Sequence, residues 1–322
     1  MDYDELASDF IRALRGKRTQ LAFSRRLGYR SNVVARWENH RCWPTAAGAL
    51  QAASRTGVDV RGKLTEFFRV ERPWLSTTKP TTPAGVVALL NDLRGNVPIV
   101  DLAREGNFSR FSVSRWLKGT SEPRLPEFLR LIETASLRVL DFVAAFVDPA
   151  SMPSIASAWR QRCAARDAAF TRPWAHAVLR ALELSSYQAL PRHEAGFVAQ
   201  RLGITAEEEA ACLQVLANAG QIHKRQRKWW QRSGVAIDLR AETERLRELK
   251  AFWLDVAQQR LLAGADGSFG FNLFACSEAD LVALREMYLA FFQEVQARIA
   301  RSEPSECVAL YSTQLFRLSA PD

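Results

Sequence analysis

Apolar positions in the first 150 residues fall in short helical stripes separated by small or polar breaks. Over residues 4–15 they are Leu6, Phe10, Ile11 and Leu14, one face of a helix. Gly16 ends that helix, and Thr19 is placed to cap a second over Gln20–Leu27. Gly28 breaks it as a left-handed turn residue would. Ser31 caps a third helix through Asn39, Pro44 and Thr45 open a fourth to about Thr56, and Val60–Phe68 forms a fifth.

The pattern then returns. Ile11–Arg69 aligns without a gap on Leu90–Asp148, an offset of 79 positions. Leu14-Arg15-Gly16 falls on Leu93-Arg94-Gly95, Arg36-Trp37 on Arg115-Trp116, Pro44 on Pro123, and Phe67 on Phe146. Asn107 stands where the first copy has Gly28, and Asn is the next best residue for a left-handed turn. A gap-free match of this length reads as a duplicated domain. The intervening Val70–Gly85 is rich in Pro and Thr and predicts an exposed, semi-extended linker. A second boundary falls at Asp148–Ser154.

Periodicity changes in the second half. Ala175–Leu190 predicts an apolar helix led by Trp174, and Glu194–Leu202 a shorter one ended by Gly203. Thr205 with Glu208 forms a capping box for a helix to Asn218, and Ile222–Gln231 alternates as a short hairpin. That is the winged-helix order of elements. A long helix over Asp238–Leu262 follows, then a strand (Gly267–Ser277), a helix from Ser277 to about Arg301, and a closing strand (Cys307–Ser319). The fold expected is mainly α. Two tandem five-helix domains (1–69 and 86–148, joined by linker 70–85) precede a C-terminal α+β region. That region comprises a winged-helix-like part (155–235) and an α/β dimerisation or sensing part (236–322).

Composition narrows the function. In 322 residues, 48% are apolar and 25% charged, which is globular. No apolar run is long enough to span a membrane, and MDYDELASDF does not start like a secretory leader. The five cysteines are scattered, with no Cys-x-x-Cys pair, which suits a cytoplasmic location. No metal-spaced His/Cys set, phosphate-binding Gly-rich loop or nucleophile motif occurs, so neither an enzyme nor a cofactor is expected. The net charge is +9, and residues 1–150 hold 23 Lys/Arg against 16 Asp/Glu. That is the footprint of a polyanion binder, here double-stranded DNA.

A helix, a tight turn and a second helix make the helix-turn-helix reader. The stretch TQLAFSRRLGYRSNVVARWENHRCWP resembles the XRE/Cro type of phage and bacterial repressors at Thr19, Gln20, Phe23, Ser24, Leu27, Gly28, Trp37, Glu38 and Pro44. The second copy matches at Leu102, Ala103, Phe108, Ser109, Val113, Ser114, Trp116, Gly119 and Pro123. It lacks the Thr-Gln start and has Leu117 for the Glu. The base readers expected are Arg30, Ser31, Asn32 and Arg36 in the first copy. In the second they are Ser109, Arg110, Phe111, Ser112 and Arg115. Phosphate contacts are expected from Lys17, Arg18, Thr19, Gln20, His40 and Arg41. Trp37 and Trp116 belong to the core.

The C-terminal half resembles a poorly characterised domain that follows helix-turn-helix segments in paralogous bacterial regulators. The resemblance rests on Trp174–His176, RLGIT, LANAGQI, FGFNLFACSEADL and YSTQLFRLS. It implies a transcription regulator with no assigned ligand. Glu207, Glu208 and Glu209 open the would-be recognition helix and would repel phosphate, so this part is expected to assemble or to sense an effector. A homodimer is the expected assembly. The alternative is a protein-interaction hub whose helix-turn-helix copies pack on partner proteins.

Overall fold

Helix α1 (Tyr3–Arg15) starts where Asp2 accepts hydrogen bonds from the Asp4 and Glu5 amides and ends at Gly16. It is seen in a computed structural model that describes residues 1–69, 72–231, 239, 242–299 and 302–319. The chain is mainly helical with one two-stranded sheet, and residues 1–163 form a compact unit apart from residues 164–235 and 242–322. No helix among the described residues is long and apolar enough to cross a membrane.

The first repeat continues with α2 (Gln20–Arg26), α3 (Val33–Glu38), α4 (Ala46–Arg55) and α5 (Val60–Phe68). Thr19 and Thr45 cap α2 and α4 as expected, but α3 is capped by Asn32, whose side chain accepts from the Ala35 amide, and not by Ser31. A short helix α6 (Pro73–Thr77) then precedes α7 (Pro83–Arg94), α8 (Ile99–Glu105), α9 (Arg110–Leu117), α10 (Leu125–Ser136) and α11 (Val139–Phe146), the second repeat. Left-handed backbone recurs at the offset of 79: Gly28 (φ +90°) with Asn107 (+52°), and Gly16 (+60°) with Gly95 (+51°).

The stretch between the repeats is not an extended linker. Pro73 opens α6, and Trp74 donates its indole N–H to Asp92 at 2.9 Å. Arg72 pairs with the same carboxylate at 3.3 Å, while Leu75 is buried. Val70 and Glu71 lie outside the described residues.

The two repeats share one hydrophobic core. Phe142 of α11 meets Phe67 of α5 edge to face at 5.7 Å and Phe128 of α10 at 5.6 Å. Arg138 donates to the Phe67 carbonyl at 2.5 Å and lies over the Phe67 ring. Helix α1 packs on α10, and α7, its counterpart, packs on α4.

Helix α12 (Ala156–Thr171) leads into α13 (Trp174–Ala181), α14 (Ser185–Gln188), α15 (Phe197–Leu202) and α16 (Ala206–Asn218). The single helix expected over 175–190 is broken at Leu184, whose extended backbone (ψ 134°) frees the Ser185 amide to bond the Ser305 carbonyl at 2.8 Å. Strands β1 (Ile222–Arg225) and β2 (Lys228–Gln231) form the expected antiparallel hairpin, turning at Gln226 and Arg227, both at positive φ. Helices α17 (Thr243–Leu262) and α18 (Glu278–Ile299) follow. The long helix therefore begins later than expected, and Asp238 lies outside the described residues, as does Arg301. Gly267–Ser277 and Cys307–Ser319 are not strands, because neither finds a ladder partner among the described residues.

Candidate nucleic-acid interface

The residue that precedes the fourth helix of each repeat, the N-cap of α4 or α10, fixes the geometry of the pair. Thr45 and Arg124, equivalent at the offset of 79, form an antiparallel bridge. The Ala46 amide donates to the Pro123 carbonyl at 2.9 Å, and the Leu125 amide donates to the Pro44 carbonyl at 3.0 Å. Each bond is the other with the repeats exchanged. Together with α1 on α10 and α7 on α4, this makes the repeats a pair related by an approximate twofold axis through Thr45 and Arg124. Arg124 reinforces the contact by donating to the Trp43 carbonyl at 3.3 Å, and Glu122 accepts from the Ala47 amide at 2.5 Å. The sequence carried this signal in the repeat itself: like residues meet at an axis.

Within each repeat the same small core aims the third helix. Trp37 is 3% exposed and meets Tyr29 edge to face at 5.7 Å, and Trp116 meets Phe108 in the same way at 5.2 Å. Both tryptophans are therefore core. At a φ of +90° an L side chain on residue 28 would be strained and its Cβ would come within 3.1 Å of the tip of Arg55, so the turn favours glycine there.

The expected base readers are divided in what they offer. Arg30, Ser31 and Arg36 are exposed around the start and middle of α3, and neither Arg30 nor Arg36 has a side-chain partner among the described residues. Asn32 is exposed too, but its side-chain oxygen is committed to the cap and to Ser24 at 3.3 Å, which leaves its amide nitrogen outward. In the second repeat Arg110, Phe111 and Arg115 are exposed, Phe111 by 82%. Ser109 caps α9 through the Ser112 amide, and the two hydroxyls bond each other at 2.8 Å.

The expected phosphate contacts differ more. Lys17, Arg18 and Arg41 are exposed. Thr19 uses its hydroxyl as a cap. Gln20 is drawn inward, its amide donating to Glu38 at 2.7 Å. His40 lies against Trp43, with ring centroids 5.3 Å apart and the rings tilted by 40°, and Glu5 is 3.8 Å away.

Glu38 is the residue whose role sequence reasoning missed. It is 3% exposed, and Arg15 reaches it at 2.6 Å. Its backbone carbonyl accepts from Ser8 at 3.0 Å and Arg12 at 2.8 Å. This cluster ties α1, α2 and α3 together. In the second repeat Ile99 and Leu117 replace Gln20 and Glu38 and join the shared core, while Asn91 donates to the Leu117 carbonyl at 3.0 Å in place of Arg12. The departure from the Thr-Gln and Glu pattern is a matched pair of changes.

Charge is unequal. Residues 17–41 hold seven Lys/Arg and one acid, the buried Glu38, whereas residues 96–120 hold four Lys/Arg and two acids, Asp101 and Glu105. Asp101 pairs with Arg104 at 2.9 Å.

The C-terminal unit spends its polar groups internally. Glu209 is buried, accepts from the Ala199 amide at 2.6 Å and lies 3.7 Å from His193. His193 in turn sits 3.3 Å from the Tyr187 hydroxyl, which accepts from the Trp229 amide. Burial pushes Tyr187 up to about 12 and Cys212 up to about 12, and it lowers the pKa of His193 despite Glu209. Glu208 pairs with Arg172 at 3.0 Å. Lys228 of the basic hairpin is buried and donates to the Gln188 and Leu190 carbonyls, leaving Lys224, Arg225 and Arg227 outward.

A family described as a domain of unknown function (DUF4423) matches residues 157–318. No curated protein and no solved structure matches the chain.

Proposed function

We propose that this chain, which belongs to the DUF4423 family through residues 157–318, is a cytoplasmic, sequence-specific DNA-binding transcriptional regulator whose repeats act as one fixed pair of helix-turn-helix readers. The observation that carries the reading is the reciprocal bonding of Pro44 and Ala46 with Pro123 and Leu125. A twofold-related pair of such readers meets two half-sites about one helical turn apart. Here a single chain holds both.

The half-sites differ, because the reading ends differ. Arg30 and Arg36 suit guanine, and the Asn32 amide nitrogen is left outward to donate to an acceptor on a base edge. Arg110 and Arg115 also suit guanine, while Phe111 offers an apolar surface to a thymine methyl. Lys17, Arg18 and Arg41 anchor the first repeat on phosphate, so its half-site supplies more of the salt-dependent affinity. The C-terminal unit serves assembly or effector response and not base reading, which is supported by its inward Glu209 and its buried Lys228.

Selection of bound sequences from random duplexes tests this. The expected product is two unlike half-sites, with Arg30→Ala erasing preference in one and Arg110→Ala in the other. Binding without base preference would contradict it.

A further inference from the structure

Exposed apolar side chains are distributed unevenly. Among the described residues, seven large ones are exposed before residue 254 and fifteen between Leu254 and Leu318. Helix α18 has 22 residues, which makes it about 33 Å long, and none of its described side chains is buried. A helix in water draws most of its stability from packing one face, so a helix this bare implies a missing cover.

The face is well defined. Leu281, Leu284, Tyr288, Phe291, Phe292 and Val295 recur at helical spacing, with Met287 and Ile299 continuing the stripe. The chain covers only part of it. Tyr311 rests on Phe291 and Phe292 at 6.3 and 6.4 Å, and Arg317 pairs with Glu278, so residues 311–317 run back along the helix. Phe291 nonetheless remains 53% exposed.

Two segments without regular structure, before and after the helix in the chain, leave further apolar side chains bare, although Val308 packs on the core of this unit. Phe269, Phe271 and Leu273 alternate along one, and Leu310, Phe316 and Leu318 lie along the other. Residues 267–276 and 306–319 make no backbone hydrogen bond with a described residue. The sequence is written for strands that one copy does not pair.

We propose that this face closes on a second copy of the chain. Helix α18 packs antiparallel against its twin about a point near residue 289, and the alternating segments complete the cover. Charge selects the second copy as occupant. Asp280 and Arg298 are 18 residues apart, five turns, and so lie on one flank of the stripe. Antiparallel packing sets each against the other's equivalent, giving an acid–base pair at both ends. Scale agrees: five phenylalanines, between 45% and 92% exposed, together bare on the order of several hundred Å² of apolar surface, comparable to the largest patch a monomer usually shows before the other exposed side chains are added. The inference does not depend on DNA reading, since it rests on the C-terminal unit alone.

The test is light-scattering mass on the full chain. The expected mass is twice 36.2 kDa. Asp280→Lys and Arg298→Glu, both at exposed positions, each oppose like charges at both ends and raise the dimer dissociation constant roughly tenfold or more. An equimolar mixture of the two variants restores the dimer, because the mixed pair is complementary at both ends. Far-UV circular dichroism checks that each variant keeps its helix content. Should either lose it, Met287→Asp, expected to dissociate the dimer, takes its place. A monomeric wild type overturns the proposal, and so does a dimer that neither the charge variants nor Met287→Asp weaken, or a mixture that fails to recover.

Discussion

In the first repeat the end of α3 is held by charge, with Glu38 buried between Arg15 and Gln20. In the second the same place is apolar, with Ile99 and Leu117 in the core and one bond from Asn91 to the backbone. The frame above them is kept: left-handed turns at the same places, a tryptophan edge to face with an aromatic at the same place (Tyr29 or Phe108), and the same exit to the shared axis. The difference teaches that the second copy is not a decayed one. A buried carboxylate and its amide partner were exchanged together for two aliphatic side chains, which leaves no polar group unpaired. What does diverge freely is the exposed end, Arg30-Ser31-Asn32 against Ser109-Arg110-Phe111.

The largest expected effect comes where the repeats are one body. Phe142→Ala removes a ring that touches both Phe67 and Phe128 and is expected to cost about 3–5 kcal/mol. In urea, tryptophan fluorescence should show residues 1–163 unfolding in one step, before and after the change. Two separate steps would break the shared core into independent repeats. Next is the clamp. Glu38→Leu leaves Arg15 and Gln20 without their acceptor, at about 2–3 kcal/mol. Adding Gln20→Ile, which copies the second repeat, should recover part of that loss. A double variant no better than the single would mean the two solutions are not interchangeable.

Smaller effects sharpen the reading ends. Arg30→Ala and Arg110→Ala should each cost about 1–3 kcal/mol of binding, each only against changes in its own half-site. Mobility shift with half-site mutants separates them. Smallest is a pH effect in the C-terminal unit. Burial lowers the pKa values of His176 and His193, with Arg180 adding to the first. The unfolded chain therefore holds more protons just below the ordinary histidine pKa of about 6.5. Stability of this unit should be full above that pH and fall as pH drops through it, which melting curves between about pH 5 and 7.5 would register.

Much of the helical frame was legible from residues whose conformation is local. Thr19 and Thr45 cap, Gly28 and Asn107 turn, and the tryptophans take the buried face because each of these needs only its neighbours in sequence. The joint core was not legible, because periodicity says that a face is buried and not what buries it. The apolar positions of α5 and α11 look the same whether they close each domain or join two. The shift of the α3 cap from Ser31 to Asn32 was hidden for a related reason: either residue can cap, and Ser24 decides by bonding Asn32. In the C-terminal half the alternation of Phe269 and Phe271 predicts a strand that does not form, because a ladder needs a second strand and none is found for it among the described residues.

The fixed twofold pair is tested most directly by changing the distance between half-sites. With a selected duplex, insertion of five base pairs between the half-sites turns one reader to the opposite face of the helix. A rigid pair then loses one reader altogether, and affinity should fall about a hundredfold or more, with a ten-base-pair insertion also poorly bound. Affinity that survives both insertions would contradict the account, since only repeats free to move apart could follow the half-sites.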